Sequence, residues 1–211
     1  MPRLTWDAYG TRFFESGVDR GVLYTADDPG VSWSGLVSVA ENPSGGEPRA
    51  FYQEGIKYLN IAAAEEFEAT INALSAPREF DPCDGNVHIQ NGLYVTQQRR
   101  QPFSFSYRTM IGNDADGADH AYKIHLVYNA LAAPTQAARN SRGSTADPSI
   151  FSWAITTLPP SITGYKRTAH LVIDSRYADP EVLSIFEDII YGTEADFPSL
   201  PNPDGVIGLF T

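Results

Sequence analysis

Apolar and polar residues alternate in three runs between Glu65 and Asn129, and these runs set the expected architecture. In residues 66–73 the apolar positions are Phe67, Ala69, Ile71 and Ala73. In residues 103–110 Phe103, Phe105 and Tyr107 fall on every second position. Residues 122–128 are more apolar but keep the same period through Tyr122, Ile124, Leu126 and Tyr128. A period of two marks a β-strand with one dry and one wet face. Residues 112–119, between the second and third runs, are polar and contain two glycines. They predict a long-looped β-hairpin, with residues 66–73 as another strand of the same architecture.

The flanking segments extend this reading. Residues 1–20 carry Trp6, Tyr9, Phe13 and Phe14 without a clean period, as expected of an arm that packs on its own domain or on a neighbour. Residues 21–24 and 31–39 predict short strands, separated by a turn at residues 27–30; Gly35 is a possible bulge. Residues 42–48 read as a loop. Residues 50–52 and 56–60 flank Gln53-Glu54-Gly55, a tight hairpin. Ala62, Ala63 and Ala64 favour helix by propensity, but the alternation from Glu66 onward favours strand. Residues 87–95 predict a hairpin turning at Asn91-Gly92. Residues 130–148 form an apolar-poor loop, and residues 151–157 and 169–174 are strands. One helix is expected, Pro180–Tyr191. Asp179 is its cap, Pro180 its first residue and Gly192 its left-handed terminator, and Val182, Leu183, Ile185, Phe186, Ile189 and Ile190 make its apolar face. The tail, residues 197–211, is interrupted by prolines and is expected to be extended. The fold class is therefore mainly β with one helix, in a single domain spanning residues 1–211.

Composition narrows the function. The net charge of −11 argues against gripping nucleic-acid backbones, which takes clustered Lys and Arg. It leaves open a surface past which nucleic acid slides. Cys83 is the sole cysteine, so neither an intrachain disulfide nor a Cys-rich zinc site is expected. No apolar run approaches the roughly 20 residues of a membrane span, and residues 1–6 do not read as a secretory signal.

Candidate chemistry is sparse. The acidic residues Asp114, Asp116 and Asp119 do not match an EF-hand loop, because Asp119 and His125 stand where Gly and Glu are required. His120 and His125 are too far out of register to share a metal, and His88 and His170 read as isolated. No serine sits in a nucleophile elbow. Asp81 and Asp84 would raise the Cys83 thiol pKa, the wrong direction for a nucleophile. Glu66 and Glu68 share one strand face but lack a saccharide platform. No enzyme activity, metal or cofactor is expected. Arg99, Arg100, Arg108, Arg139 and Arg142 are read as partners for acidic loops between subunits.

Several strings carry a family resemblance. They are residues 9–24, from Tyr9-Gly10-Thr11-Arg12 to Val22-Leu23-Tyr24; Tyr58-Leu59-Asn60 with residues 65–71; and Phe80-Asp81-Pro82-Cys83-Asp84-Gly85. The most telling is residues 107–114 with His125-Leu126-Val127-Tyr128-Asn129, and Phe151-Ser152-Trp153 and Tyr191-Gly192-Thr193 complete the set. In this order the chain resembles the major tail proteins of siphophages and related prophages. The resemblance implies a tail-tube-like β-sandwich or distorted barrel with one flanking helix, in a virion protein assembled in the bacterial cytoplasm. It implies hexameric rings stacked into a tube through which phage DNA passes without specific binding. It also implies a tape measure protein and tail tip or terminator proteins as partners, and no membrane. Within that frame, Glu66, Glu68, Thr70 and Asn72 are candidates for the bore or a subunit interface. Gly112, Asn113, Asp114, Asp116, Gly117 and Asp119 are candidates for a loop reaching the next subunit or ring, and the arm and tail are further contact candidates. The alternatives are a β-sandwich module binding a receptor or carbohydrate, with Trp33 and Trp153 as a platform if exposed, and a tail terminator or connector.

Overall fold

The computed structural model describes residues 3–26, 29–90, 92–139, 141 and 147–211. In chain order its elements are β1 (Phe13–Tyr24), β2 (Val31–Trp33), β3 (Leu36–Glu41), β4 (Ser44–Gly45), β5 (Pro48–Gln53), β6 (Ile56–Ala62), β7 (Glu65–Glu66) and β8 (Glu68–Ala73). A 3-10 turn at Arg78–Phe80 is followed by β9 (Val87–Gln90), β10 (Leu93–Val95), β11 (Phe103–Asn113), β12 (Gly117–Ala132), β13 (Phe151–Thr157), β14 (His170–Asp174), α1 (Pro180–Tyr191) and α2 (Pro203–Phe210).

The main sheet is antiparallel and runs β2-β1-β11-β12-β13-β8-β3, with β14 also paired to β12. Its two end strands, β2 and β3, are consecutive in the chain, joined through Ser34 and Gly35, the latter at φ 83°. The sheet therefore curls back on itself without a backbone ladder between β2 and β3 among the described residues, and it is not a closed barrel. The run expected as one strand over residues 31–39 is thus two strands. Gly35 is the turn between them, not a bulge.

Alternation sorts the side chains into two cores. Leu23, Trp33, Ile71, Phe105, Tyr107, Val127, Trp153 and Ile155 point into the curl, with Phe80 and Cys83 filling it. Val22, Tyr24, Ile124, Leu126, Tyr128 and Ile173 point outward, and Leu183, Phe186 and Ile190 of α1 and Val206 of α2 cover them. Residues 124–128 of β12 are dry on both faces, which is why this stretch reads as more apolar than its neighbours. Burial of this kind contributes roughly 25 cal/mol per Å² of apolar surface.

α1 has the predicted bounds. Asp179 Oδ1 accepts from the backbone N–H groups of Glu181 and Val182 at 2.9 and 3.3 Å. Two details differ from expectation. Ile185 is exposed, because α1 turns only Leu183, Phe186 and Ile190 fully inward. Gly192 has φ 80° and ψ 168°, outside the left-handed helical region.

The tail is not wholly extended. Asn202 Oδ1 accepts from Gly205 N–H at 2.7 Å and Pro203 occupies the first helical position, so α2 forms despite Gly205 and Gly208. The predicted arm is also shorter, since β1 begins at Phe13. Register shifts near Gly17 and Arg20 break the alternation of β1 and hide it from a period-two reading. β12 likewise runs to Ala132, into the expected loop 130–148, of which Asn140 and residues 142–146 lie outside the described residues. So do Asp27 and Asp28 of the predicted turn and Asn91 of the β9–β10 hairpin, whose flanking strands form as expected.

Candidate assembly surfaces and a buried histidine pair

Among the described residues, β5 and β6 form a hairpin that belongs to no larger sheet. Glu54 and Gly55 both have positive φ, 51° and 76°, as a two-residue turn matched to strand twist requires. Every residue of β6 is exposed, and its side chains are not those of a solvated ribbon. Tyr58 is 73% exposed, Ile56 70% and Tyr52 69%, and Phe51, Leu59 and Ile61 are also open. Phe51 lies directly opposite Leu59 and Arg49 opposite Ile61, so one face carries three apolar side chains, with the Arg49 guanidinium 5.4 Å from the Phe51 ring centre and the rest of the face open. An isolated two-stranded hairpin is marginal in water, and a projecting apolar ribbon of this kind marks an interaction surface. The tight hairpin was legible in the sequence; its separation from the core was not, because local pattern does not say which strands a hairpin lacks. Residues 3–12 repeat the theme, with Leu4, Trp6 and Tyr9 exposed, as do Ile89 and Leu93 on the β9–β10 hairpin.

The candidate bore residues divide. Glu68, Thr70 and Asn72 lie on the outward face of β8, between β3 and β13. Their neighbours on that face are Ser38 and Ala40 of β3 and Ser152, Ala154 and Thr156 of β13. The patch is small, polar and free of Lys and Arg. Ser44 donates to Glu68 Oε1 at 2.9 Å and Asn72 Nδ2 donates to Ser38 Oγ at 3.0 Å, so the patch is stiff. Glu66 does not share this face. The strand is interrupted at Phe67, and Glu66 pairs instead with Ser44 in the small β4–β7 ladder, where it is exposed.

The predicted long loop is a three-residue turn at residues 114–116, because β11 and β12 continue into it and Asn113 pairs with Gly117. Asn113 Oδ1 accepts from the N–H groups of Ala115 and Asp116. His120 Nδ1 lies 2.7 Å from Asp116 Oδ2 and Asp119 is exposed. The Phe14 ring lies against Gly112, where a Cβ would collide with it, so this glycine serves packing. Asp114 Oδ1 accepts from the N–H groups of Gly10 and Arg12 at 3.0 and 3.2 Å, which ties the turn to the arm of its own chain. Two of the basic residues are likewise engaged internally. Arg108 makes a bidentate pair with Asp19 at 2.8 and 2.6 Å, and Arg100 pairs with Asp84 at 3.0 Å.

Trp33 and Trp153 are both in the core, so they form no exposed saccharide platform. Cys83 is buried, and burial, with Asp84 adding to it, pushes its thiol up to about 12.

His170 is not isolated. Pairing of β12 with β14 sets Val127 opposite His170 and His125 opposite Val172, which makes the two histidines diagonal neighbours on one face. His125 Nδ1 and His170 Nε2 are 3.2 Å apart, and Glu41 Oε1 lies 3.5 Å from the same Nδ1. Glu41 is the last residue of β3, so the three meet at one mouth of the curl. Around them Phe105, Tyr107, His125, His170 and Phe67 form a continuous run of ring contacts, with Tyr107 and His125 nearly parallel at 4.6 Å. Tyr107 donates to Glu41 Oε1 at 2.7 Å and Thr109 Oγ1 lies 3.1 Å from His125 Nε2. Burial and then the neighbouring His170 lower His125 to about 4, and burial lowers His170 as well, with Glu41 opposing the shift in both. Forty-five residues separate them, and only the strand register reveals the pair.

No family model matches the chain, and no curated protein does. Among solved structures it matches a chain of the cryo-EM structure of the anti-feeding prophage (AFP) baseplate, 6-fold symmetrised. The identity is 9% and the TM-score 0.40, over 81% of this chain and 97% of that one. A likeness of that size does not by itself establish a shared fold. No described helix is long and apolar enough to cross a membrane.

Proposed function

We propose that this chain is a structural protein of a phage tail, a tube subunit that assembles with copies of itself into stacked rings. The observation that carries the reading is the β5–β6 hairpin. It presents apolar side chains and unpaired strand edges with no intrachain partner in the main sheet, and a second copy supplies both. The second copy is favoured over an unrelated occupant by the resemblance of the chain, over nearly its whole length, to major tail proteins.

The outward face of β3, β8 and β13 is the proposed bore lining. Its small hydroxyl and amide side chains with Glu68 offer DNA phosphates no cation to hold, and the overall negative charge adds repulsion within about a Debye length of 8 Å. Glu66, exposed on β7, belongs to the rim of this surface. Tail tip, terminator and tape measure proteins are the further partners this role implies.

Negative-stain microscopy of the purified protein tests assembly, with rings or tubes as the expected result. Monodisperse particles at high concentration, unchanged by tail-tip seeds, would exclude the reading. For the bore, Thr70→Lys with Asn72→Lys should slow DNA ejection from reconstituted tails. Ejection at the unaltered rate would move the bore elsewhere.

A further inference from the structure

We propose that Glu41, His125 and His170 bind a divalent transition-metal ion of the Zn²⁺ type at the mouth of the curled sheet. The site does not depend on the assembly described above. Among the described residues this is the cluster of His, Cys, Asp and Glu whose ligand atoms converge, all within 4.8 Å of one another.

The spacing suits a tetrahedral ion. With Zn–N and Zn–O bonds near 2.0–2.1 Å, ligand atoms stand about 3.3 Å apart along a tetrahedral edge. The His125–His170 and His125–Glu41 separations are 3.2 and 3.5 Å. Two imidazoles and a carboxylate are a borderline donor set that suits zinc and its neighbours over calcium or magnesium.

The outer shell is also in place. Thr109 Oγ1 lies 3.1 Å from His125 Nε2 and can accept from it in the tautomer that leaves the lone pair on Nδ1, the nitrogen facing the site. Tyr107 donates to Glu41 Oε1 and fixes that carboxylate. Without an ion, a hydrogen bond between His125 Nδ1 and His170 Nε2, 3.2 Å apart, takes one proton between the two nitrogens. On binding, His170 takes the tautomer with its proton on Nδ1, and both facing lone pairs go to the metal. Three protein ligands leave the fourth position to water. His170 lines a cleft of about 750 Å³ and Glu41 is partly exposed, so the ion has a route from solvent.

The ligands come from β3, β12 and β14. β14 is hydrogen-bonded to β12, but β3 reaches them only the long way round, through β8 and β13. An ion here ties the far end of the sheet path across the mouth and closes the curl at one end.

The experiment uses untagged full-length protein, stripped with a chelator and titrated with Zn²⁺ by calorimetry, then with Co²⁺ read by its visible absorption. The expected result is one ion per chain, tetrahedral Co²⁺ bands and a melting temperature raised by Zn²⁺. His170→Gln should weaken uptake by more than about 100-fold and Tyr107→Phe by about tenfold, in line with the ~10–100-fold cost of outer-shell changes. Glu41→Gln, at a partly exposed position, tests the site should His170→Gln fail to fold, and should also weaken uptake by at least about tenfold. Absence of stoichiometric uptake by the stripped wild type would overturn the proposal. So would equal uptake by wild type and Glu41→Gln, or Co²⁺ bands of an octahedral surface ion.

Discussion

Two parts of the molecule use the same residue types to opposite ends. Inside the curl, Trp33, Phe80, Phe105 and Trp153 make edge and tilted ring contacts at 4.7–5.5 Å and lose nearly all contact with water. On the β5–β6 hairpin, Phe51, Tyr52, Tyr58, Ile56, Leu59 and Ile61 stay open. Binary patterning is satisfied in the first region and violated in the second. An isolated ribbon of this kind is marginal in water, so the core carries the fold, and the role proposed for the hairpin is to meet a partner.

Mutations at matched residue types sharpen the contrast. Phe105→Ala or Phe186→Ala should cost about 3–5 kcal/mol by leaving cavities in the two cores, read as loss of the urea unfolding midpoint. Tyr58→Ser with Ile56→Ser should change monomer stability by no more than about 0.5 kcal/mol yet abolish rings and tubes in the microscope. Tubes of normal appearance from that double variant would remove the hairpin from the assembly contact.

A smaller effect is expected where the helices meet the sheet. Asp179→Ala removes the cap of α1 and should cost about 1 kcal/mol, and Asn202→Ala a comparable amount at α2. Both are read in urea and both should leave assembly intact. Smallest of all, Asp114→Ala should leave stability within about 0.5 kcal/mol but free the arm. Trypsin should then cut after Arg12 sooner, while an unchanged cleavage rate would show that Asp114 does not hold the arm.

How much of this was legible depended on how local the cause was. β8, β13 and α1 follow from alternation or from caps a few residues away, and their bounds match the sequence to within two residues. Only the end of β1, residues 21–24, was legible; its first part was hidden because two irregularities within twelve residues move its side chains off a strict period. α2 was hidden by its glycines, although Asn202-Pro203 carried the start signal. The curl, the stranding of the hairpin and the histidine pair are products of pairing between distant strands, and no window of sequence contains them. The turn at residues 114–116 was overestimated in length for the converse reason: its polar residues bond to one another and extend the ladder instead of ending it.

The claim that the hairpin gains its partner only on assembly is tested most directly by amide hydrogen exchange of residues 48–62, measured on dilute monomer and on assembled protein. The account predicts fast exchange in the monomer, against slow exchange in β11 and β12, and strong protection of the hairpin once rings form. Protection already present in the dilute monomer, or hairpin amides that still exchange freely in assembled tubes, would contradict it.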